Sequence, residues 1–138
     1  MFYSSNLRDL RDFYIQAWKK QGKVQELTDL EKRICDVIAK HPEYQSYIST
    51  NYLEKNFENT NPFLHMSLHL ALQEQIQTNR PQGIQAVYLK LIEKHGDKHQ
   101  VEHAMMEVLE YILWEAQRIN QMPDETVYLN ACKKLAEF

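Results

Sequence analysis

The chain has 138 residues and a formal net charge of -3, with 43% hydrophobic and 25% charged residues. This size suits one domain, and a negative chain without a dense Lys/Arg cluster disfavours nucleic acid as a main partner. No apolar run approaches the roughly 18 residues of a membrane span, and the N-terminus has no apolar signal-peptide core. We therefore expect a cytoplasmic protein with no membrane partner, in which Cys35 and Cys132 are free thiols.

Helices are predicted along the whole chain, because only three glycines occur and apolar residues recur at helical spacing. No strand pattern and no internal repeat is present. Residues 49–60 lack periodicity and are predicted to form a loop packed through Tyr52, Leu53 and Phe57. The sequence predicts an all-α fold, a single-domain bundle of about six helices over 1–138. The predicted helices cover, in chain order, residues 6–20, 29–41, 62–79, 81–95, 98–120 and 123–138, with a further short helix at 42–48.

The first two helices have recognisable starts and apolar faces. Ser5 or Asn6 is the predicted cap of the first helix, and Thr28 and Glu31 form a capping box before the second. His41 lies one turn after Val37, on the apolar face of the second helix. The residues predicted to point inward from that helix are Leu30, Ile34, Val37 and Ile38.

The central helix carries two histidines four residues apart. Asn61 is a suitable N-cap and Pro62 fits the first helical position. His65 and His69 then stack on one face, within about 60° of an apolar stripe formed by Leu68, Leu72 and Ile76. The pair is expected to face the core. It can serve either as metal ligands or as core histidines that are hydrogen-bonded to carboxylates or carbonyls.

The long helix at 98–120 carries a second polar stripe. At helical spacing, all residues of this stripe lie within about 40° of His103 around the helix axis. Trp114 and Met106 beside the stripe favour burial, since large apolar groups seldom border a solvated face. The alternative is an exposed polar face. The stripe consists of His99, His103, Glu107, Glu110 and Trp114.

These patterns together predict a metal site in the bundle core. Burial favours the neutral imidazole, which is the form that binds metal, and neighbouring helices can bring ligand pairs to one ion or two. The predicted ligands are His65, His69, His103 and Glu107, with His41 and His99 as additional ligands, and with Glu43, Glu74 and Glu110 as carboxylates that complete the shell or orient the imidazoles. Nitrogen and carboxylate ligands suit Zn, Fe, Mn or Ni. His95, before Gly96, is expected only to end a helix.

Several motifs resemble those of a small bacterial family, the domain of unknown function 1841. They are Asn61-Pro62-Phe63-Leu64-His65-x-x-x-His69, His41-Pro42-Glu43-Tyr44, Glu102-His103-x-Met105-Met106-Glu107 and Trp114-x-Ala116-Gln117-Arg118. The resemblance spans nearly the whole chain and implies an all-helical protein; the family name offers no reaction. The histidine spacing is also similar to hemerythrin-like bundles, which differ in ligand order and number, and to the three-histidine site of DinB-like bundles. These two are analogies of spacing.

Two other classes of function remain beside a metal-binding protein. One is a non-catalytic interaction or scaffold module, in which the His/Glu stripe is a buried hydrogen-bond network or a face that meets a protein partner or a second copy. The other is an enzyme with a serine or cysteine nucleophile. It is disfavoured, because Ser67 points away from both flanking histidines and neither cysteine has a histidine nearby in sequence. The sequence leaves open whether any reaction is catalysed.

Overall fold

The structure, a computed structural model, describes residues 7–57 and 61–137. Over these ranges it contains helices and no strand, so the prediction of an all-α fold with about six helices is confirmed. None of the described helices is long and apolar enough to cross a membrane. The α-helices are α1 (Leu7–Lys19), α2 (Asp29–Ala39), α3 (Pro62–Thr78), α4 (Ile84–His95), α5 (Lys98–Arg118) and α6 (Glu125–Leu135), and short 3-10 helices cover Val24–Glu26, Pro42–Tyr47 and Thr50–Tyr52.

The chain divides into two compact units, Met1–Leu70 and Ala71–Phe138. In the first unit α1 packs against α2, and the predicted loop residues Tyr52, Leu53 and Phe57 pack against their shared core. The predicted caps Ser5 and Asn6 and loop residues 58–60 lie outside the described residues. The prediction of one domain over 1–138 stays a prediction. The buried core of the first unit consists of Tyr14, Ile15, Ala17, Ile34, Val37, Ile38, Ile48, Phe63 and Met66.

The start of α2 has the predicted capping box. The Thr28 hydroxyl accepts a hydrogen bond from the Glu31 N–H, and the Glu31 carboxylate accepts one from the Thr28 N–H. The prediction that Leu30 points inward is wrong, since 41% of its surface is exposed. Leu30 lies in the first turn of α2, where Glu31 is the buried residue.

Arg11 is a buried cation on the apolar face of α1, with 2% of its surface exposed. Its Nη1 donates to the carbonyl oxygens of Lys55 at 2.7 Å and of Tyr52 at 3.0 Å. Its guanidinium carbon lies 5.1 Å from the ring centroid of Phe63 and 5.4 Å from that of Phe57. Arg11 thereby holds the segment that leads toward α3.

In the second unit α4, α5 and α6 pack against one another. Helix α4 begins at Ile84, three residues later than predicted from Pro81. The reason is Asn79, whose backbone is left-handed and whose side-chain oxygen accepts hydrogen bonds from the N–H groups of Gly83 and Gln85. Asp97 and Asp124 are the N-caps of α5 and α6, and the side-chain oxygen of each accepts hydrogen bonds from the N–H groups two and three residues later.

Candidate metal centre

His41 lies between the end of α2 and the 3-10 helix Pro42–Tyr47, and 3% of its surface is exposed. Its ring Nδ1 is 2.7 Å from the carbonyl oxygen of Val37, one turn earlier in α2. Because a carbonyl oxygen can only accept, the ring proton is assigned to Nδ1, and in the neutral ring Nε2 carries the lone pair. Metal-bound histidines commonly have this arrangement, in which the second ring nitrogen donates to a carbonyl and fixes the ring.

His65 and His69 lie on α3, whose start is fixed by Asn61 as predicted. The Asn61 side chain accepts hydrogen bonds from the N–H groups of Phe63 and Leu64. His69 is buried, with 2% of its surface exposed, and His65 is half-buried. Their ring centroids are 4.9 Å apart, so the expected pairing on one face is confirmed.

A hydrogen bond to α1 fixes the rotation of α3 about its axis between the two histidines. The hydroxyls of Tyr14 and Ser67 are 2.7 Å apart, and Tyr14 is 1% exposed. Burial raises the pKa of Tyr14 to about 12, so this phenol stays protonated at neutral pH. The helix is therefore anchored on the side of Ser67.

The three imidazoles of the first unit form a nearly equilateral triangle. The centroid of His41 is 5.0 Å from that of His65 and 4.7 Å from that of His69. Three imidazoles bound to one ion have centroids about 4.7 Å apart on an octahedral face and about 5.2 Å apart in a tetrahedral site, for metal–nitrogen distances of about 2.1 Å. The ligand atoms of His41 and His69 also lie within 4.8 Å of each other. The ring spacing is compatible with a single ion, but the group of described residues whose ligand atoms converge within 4.8 Å includes His41 and His69 and not His65.

Tyr44 covers this triangle and was not predicted as part of it. Its ring stacks on that of His41, with centroids 5.4 Å apart and planes 5° from parallel, and meets His65 edge-on at 5.5 Å. Burial, followed by the charge of Glu43, raises the pKa of Tyr44. The sequence feature that could have identified Tyr44 is its position three residues after His41, because residues three apart in a 3-10 turn lie above one another.

In the second unit His99 and His103 are both half-buried, and the centroids of their rings are 4.1 Å apart. Their ligand atoms lie within 4.8 Å of each other. Glu107 and Glu110 are exposed, and within the described ranges neither forms a hydrogen bond or an ion pair. The expectation that Trp114 makes this stripe a buried one is wrong, since 55% of Trp114 is exposed.

The remaining predicted site residues are all on the surface. Glu43 and Glu74 are exposed, and so is His95, which ends α4 before the left-handed Gly96 as expected. The two carboxylates stay predictions as metal-associated groups.

A family model of a domain of unknown function (DUF1841) matches residues 6–134. The chain belongs to this family. The match contains all six histidines and confirms the resemblance seen in the motifs. No curated protein and no solved structure matched the chain.

Both cysteines of this DUF1841 chain are free thiols. Cys35 donates to the carbonyl oxygen of Ala17 at 3.3 Å, and burial raises the pKa of its thiol. Cys132 is fully buried, and burial raises its pKa to about 11. Because only a thiolate binds metal well, neither cysteine is suited to bind a metal ion at neutral pH.

Proposed function

We propose that this protein binds a divalent transition metal ion through His41, His65 and His69. The hydrogen bond from His41 Nδ1 to the Val37 carbonyl carries the proposal, because it fixes a buried ring in the tautomer whose Nε2 binds metal ions. The ring spacing of the triangle supports the same ion. Zn, Fe, Mn and Ni all accept imidazole nitrogen.

We also propose His99 and His103, in the second unit, as a further pair of metal ligands. The ligand atoms of this pair lie within 4.8 Å of each other, which supports the pair, whereas the centroid distance of 4.1 Å is shorter than that of two imidazoles bound to one ion. Glu107, which the sequence predicts as a ligand, has less support because it is exposed. A metal-to-protein ratio of two would indicate that each group of histidines binds its own ion.

The proposal is tested by metal analysis of protein purified without a histidine tag, both as isolated and after treatment with a chelator and reconstitution. We expect at least one tightly held ion per chain. An ion at 100 times its dissociation constant stabilises the fold by about 2.7 kcal/mol, which raises the melting temperature by roughly 5–10 °C. His69→Ala and His41→Ala should lose both the ion and this increase.

His95→Ala is the matched control, because it removes an exposed histidine at the end of α4. It should keep the ion and the melting temperature. Glu107→Gln tests the weaker ligand in the same assay. A reconstituted protein that holds no transition metal, or His69→Ala that holds as much as the wild type, contradicts the proposal. The imidazoles would then form a hydrogen-bond network in an interaction module.

We further propose that the protein works in the bacterial cytoplasm and does not act on nucleic acid. Its two free cysteines suit a reducing compartment, and its net negative charge does not suit a phosphate backbone.

A further inference from the structure

The outer face of α5 carries an acid, an aromatic ring and a base at equal spacing. Glu110, Trp114 and Arg118 follow one another at intervals of four residues, so they lie within about 40° of a common line along the helix. All three are exposed, and Tyr111 beside them has 60% of its surface exposed. The Arg118 guanidinium lies 5.7 Å from the centroid of the Trp114 ring and forms an ion pair with Glu115.

This face has the composition of an interface centre and not of a solvated helix surface. Trp, Tyr and Arg are the residue types that contribute most to binding at protein interfaces. Large aromatic groups are uncommon on a solvated face, yet here Tyr111 and Trp114 are both mostly exposed and their ring centroids are 6.0 Å apart. Charged residues flank the two rings on both sides.

The order of the charges makes the face complementary to itself. If a second copy of α5 packs antiparallel with a two-fold axis at Trp114, residue 110 of each chain lies opposite residue 118 of the other. Glu110 then meets Arg118 twice, and the Trp114 rings meet at the axis. A parallel pairing would set Glu110 against Glu110 and Arg118 against Arg118. A two-fold interface requires this self-complementarity.

The distances suit such a pairing. Four residues of helix span about 6 Å, and at a crossing angle near 20° the two axes diverge by about 2 Å over that length. Long Glu and Arg side chains bridge this gap easily. Because each aromatic ring offers roughly 100 Å² of exposed surface, the four rings supply less than half of a standard interface. An interface of this size is typical of weak, transient association.

We propose that the protein forms a two-fold symmetric dimer through antiparallel packing of α5, centred on Trp114, with Glu110 of each chain paired to Arg118 of the other. This dimer does not depend on the proposed metal, because none of the residues proposed to form the dimer interface is a histidine.

Sedimentation equilibrium of the full chain, from about 1 to about 200 µM in buffer with a chelator, tests the dimer directly. The chelator removes association through metal bridges, so the outcome does not depend on the proposed metal site. Wild-type protein should change from monomer to dimer over this range. Trp114→Ala should weaken the dimer by at least tenfold, as expected for a central aromatic residue.

Charge reversal tests the pairing itself. Glu110→Arg should abolish the dimer, because it places two arginines opposite each other. The double variant Glu110→Arg with Arg118→Glu restores opposite charges across the axis and should recover association. Glu93→Arg, which makes the same change at an exposed position of α4, should behave as wild type. Far-UV circular dichroism establishes that every variant is folded.

Three results would overturn the proposal. They are a wild-type monomer at all concentrations, a dimer that Trp114→Ala leaves unchanged, and a double charge reversal that associates no better than Glu110→Arg alone.

Discussion

Replacing Arg11 with Met tests how a buried cation stabilises the first unit. Met matches the aliphatic part of Arg as far as Nε, so the change removes the charge, the donors and the stacked guanidinium while it keeps the packing of the stem. Within the described residues, Arg11 binds backbone carbonyls and its Nε has no hydrogen-bond partner. Its effect on stability is therefore a balance between hydrogen bonding and desolvation.

The magnitude follows from the contacts. Hydrogen bonds at 2.7 and 3.0 Å from a charged donor contribute about 1.5–3 kcal/mol each, whereas the bond to Leu53 at 3.4 Å contributes little. The stacking on Phe57 and Phe63 adds about 0.5–2 kcal/mol. Burial opposes these contributions, since it removes water from the guanidinium and lowers its pKa. Because Met leaves the carbonyls without their donor, we expect Arg11→Met to lower the free energy of unfolding by about 2–4 kcal/mol.

Urea unfolding followed by far-UV circular dichroism measures this loss, and Arg8→Met is the matched control. Arg8 lies on the same helix and pairs with Glu54 at 2.9 Å, but both side chains are mostly exposed. Such a surface pair contributes at most about 1 kcal/mol. Arg11→Lys keeps the charge but loses the planar fork, and should fall between wild type and Arg11→Met. The reasoning is refuted if Arg11→Met and Arg8→Met are equally stable.

Two further predictions concern titration and thiol reactivity. The N–H of Thr28 and then Lys20 lower the pKa of Glu31, so its carboxylate stabilises the fold at neutral pH and this contribution is lost as the pH falls below the ordinary pKa of 4.5. Acid titrations monitored by circular dichroism should therefore show a smaller loss of stability between pH 5 and pH 3 (approximate limits of the window) for Glu31→Gln; an unchanged slope would contradict the assignment. Burial raises the pKa of Cys132 to about 11 and leaves none of its surface exposed, so mass spectrometry after alkylation of the native protein should find Cys132 unmodified and Cys35 modified slowly. Rapid modification of Cys132 without urea would disprove that burial.

Sequence periodicity predicted the histidines of the first unit well. His65 and His69 share a face because they are four residues apart on a helix, and His41 shares the buried face of Val37 for the same geometric reason. The hydrogen bond from His41 to the Val37 carbonyl could not be predicted from the sequence, since it depends on the backbone conformation at the end of α2. Tyr44 was missed because its contact with His41 depends on the 3-10 turn between them.

The same periodicity was less informative for α5. It places His103, Glu107 and Trp114 on one stripe, but a stripe is buried only where another element covers it. On this helix His103 is half-buried, whereas Glu107 and Trp114 are exposed. The sequence shows on which side of a helix a residue lies. It does not show how far along the helix the neighbouring elements cover that side. Arg11 shows the converse, because a charged residue on an apolar face is buried once the chain supplies carbonyl acceptors.

The hydrogen bond between His41 and Val37 has a consequence for how an ion would be exchanged. The ring is immobilised when α2 and its following turn form, so an ion that binds there meets a preorganised ligand. Freezing a flexible side chain on binding costs about 0.5–1.5 kcal/mol, and for His41 this loss of entropy occurs during folding. An ion would thus enter and leave while the first unit remains folded, and this preorganisation would strengthen its binding.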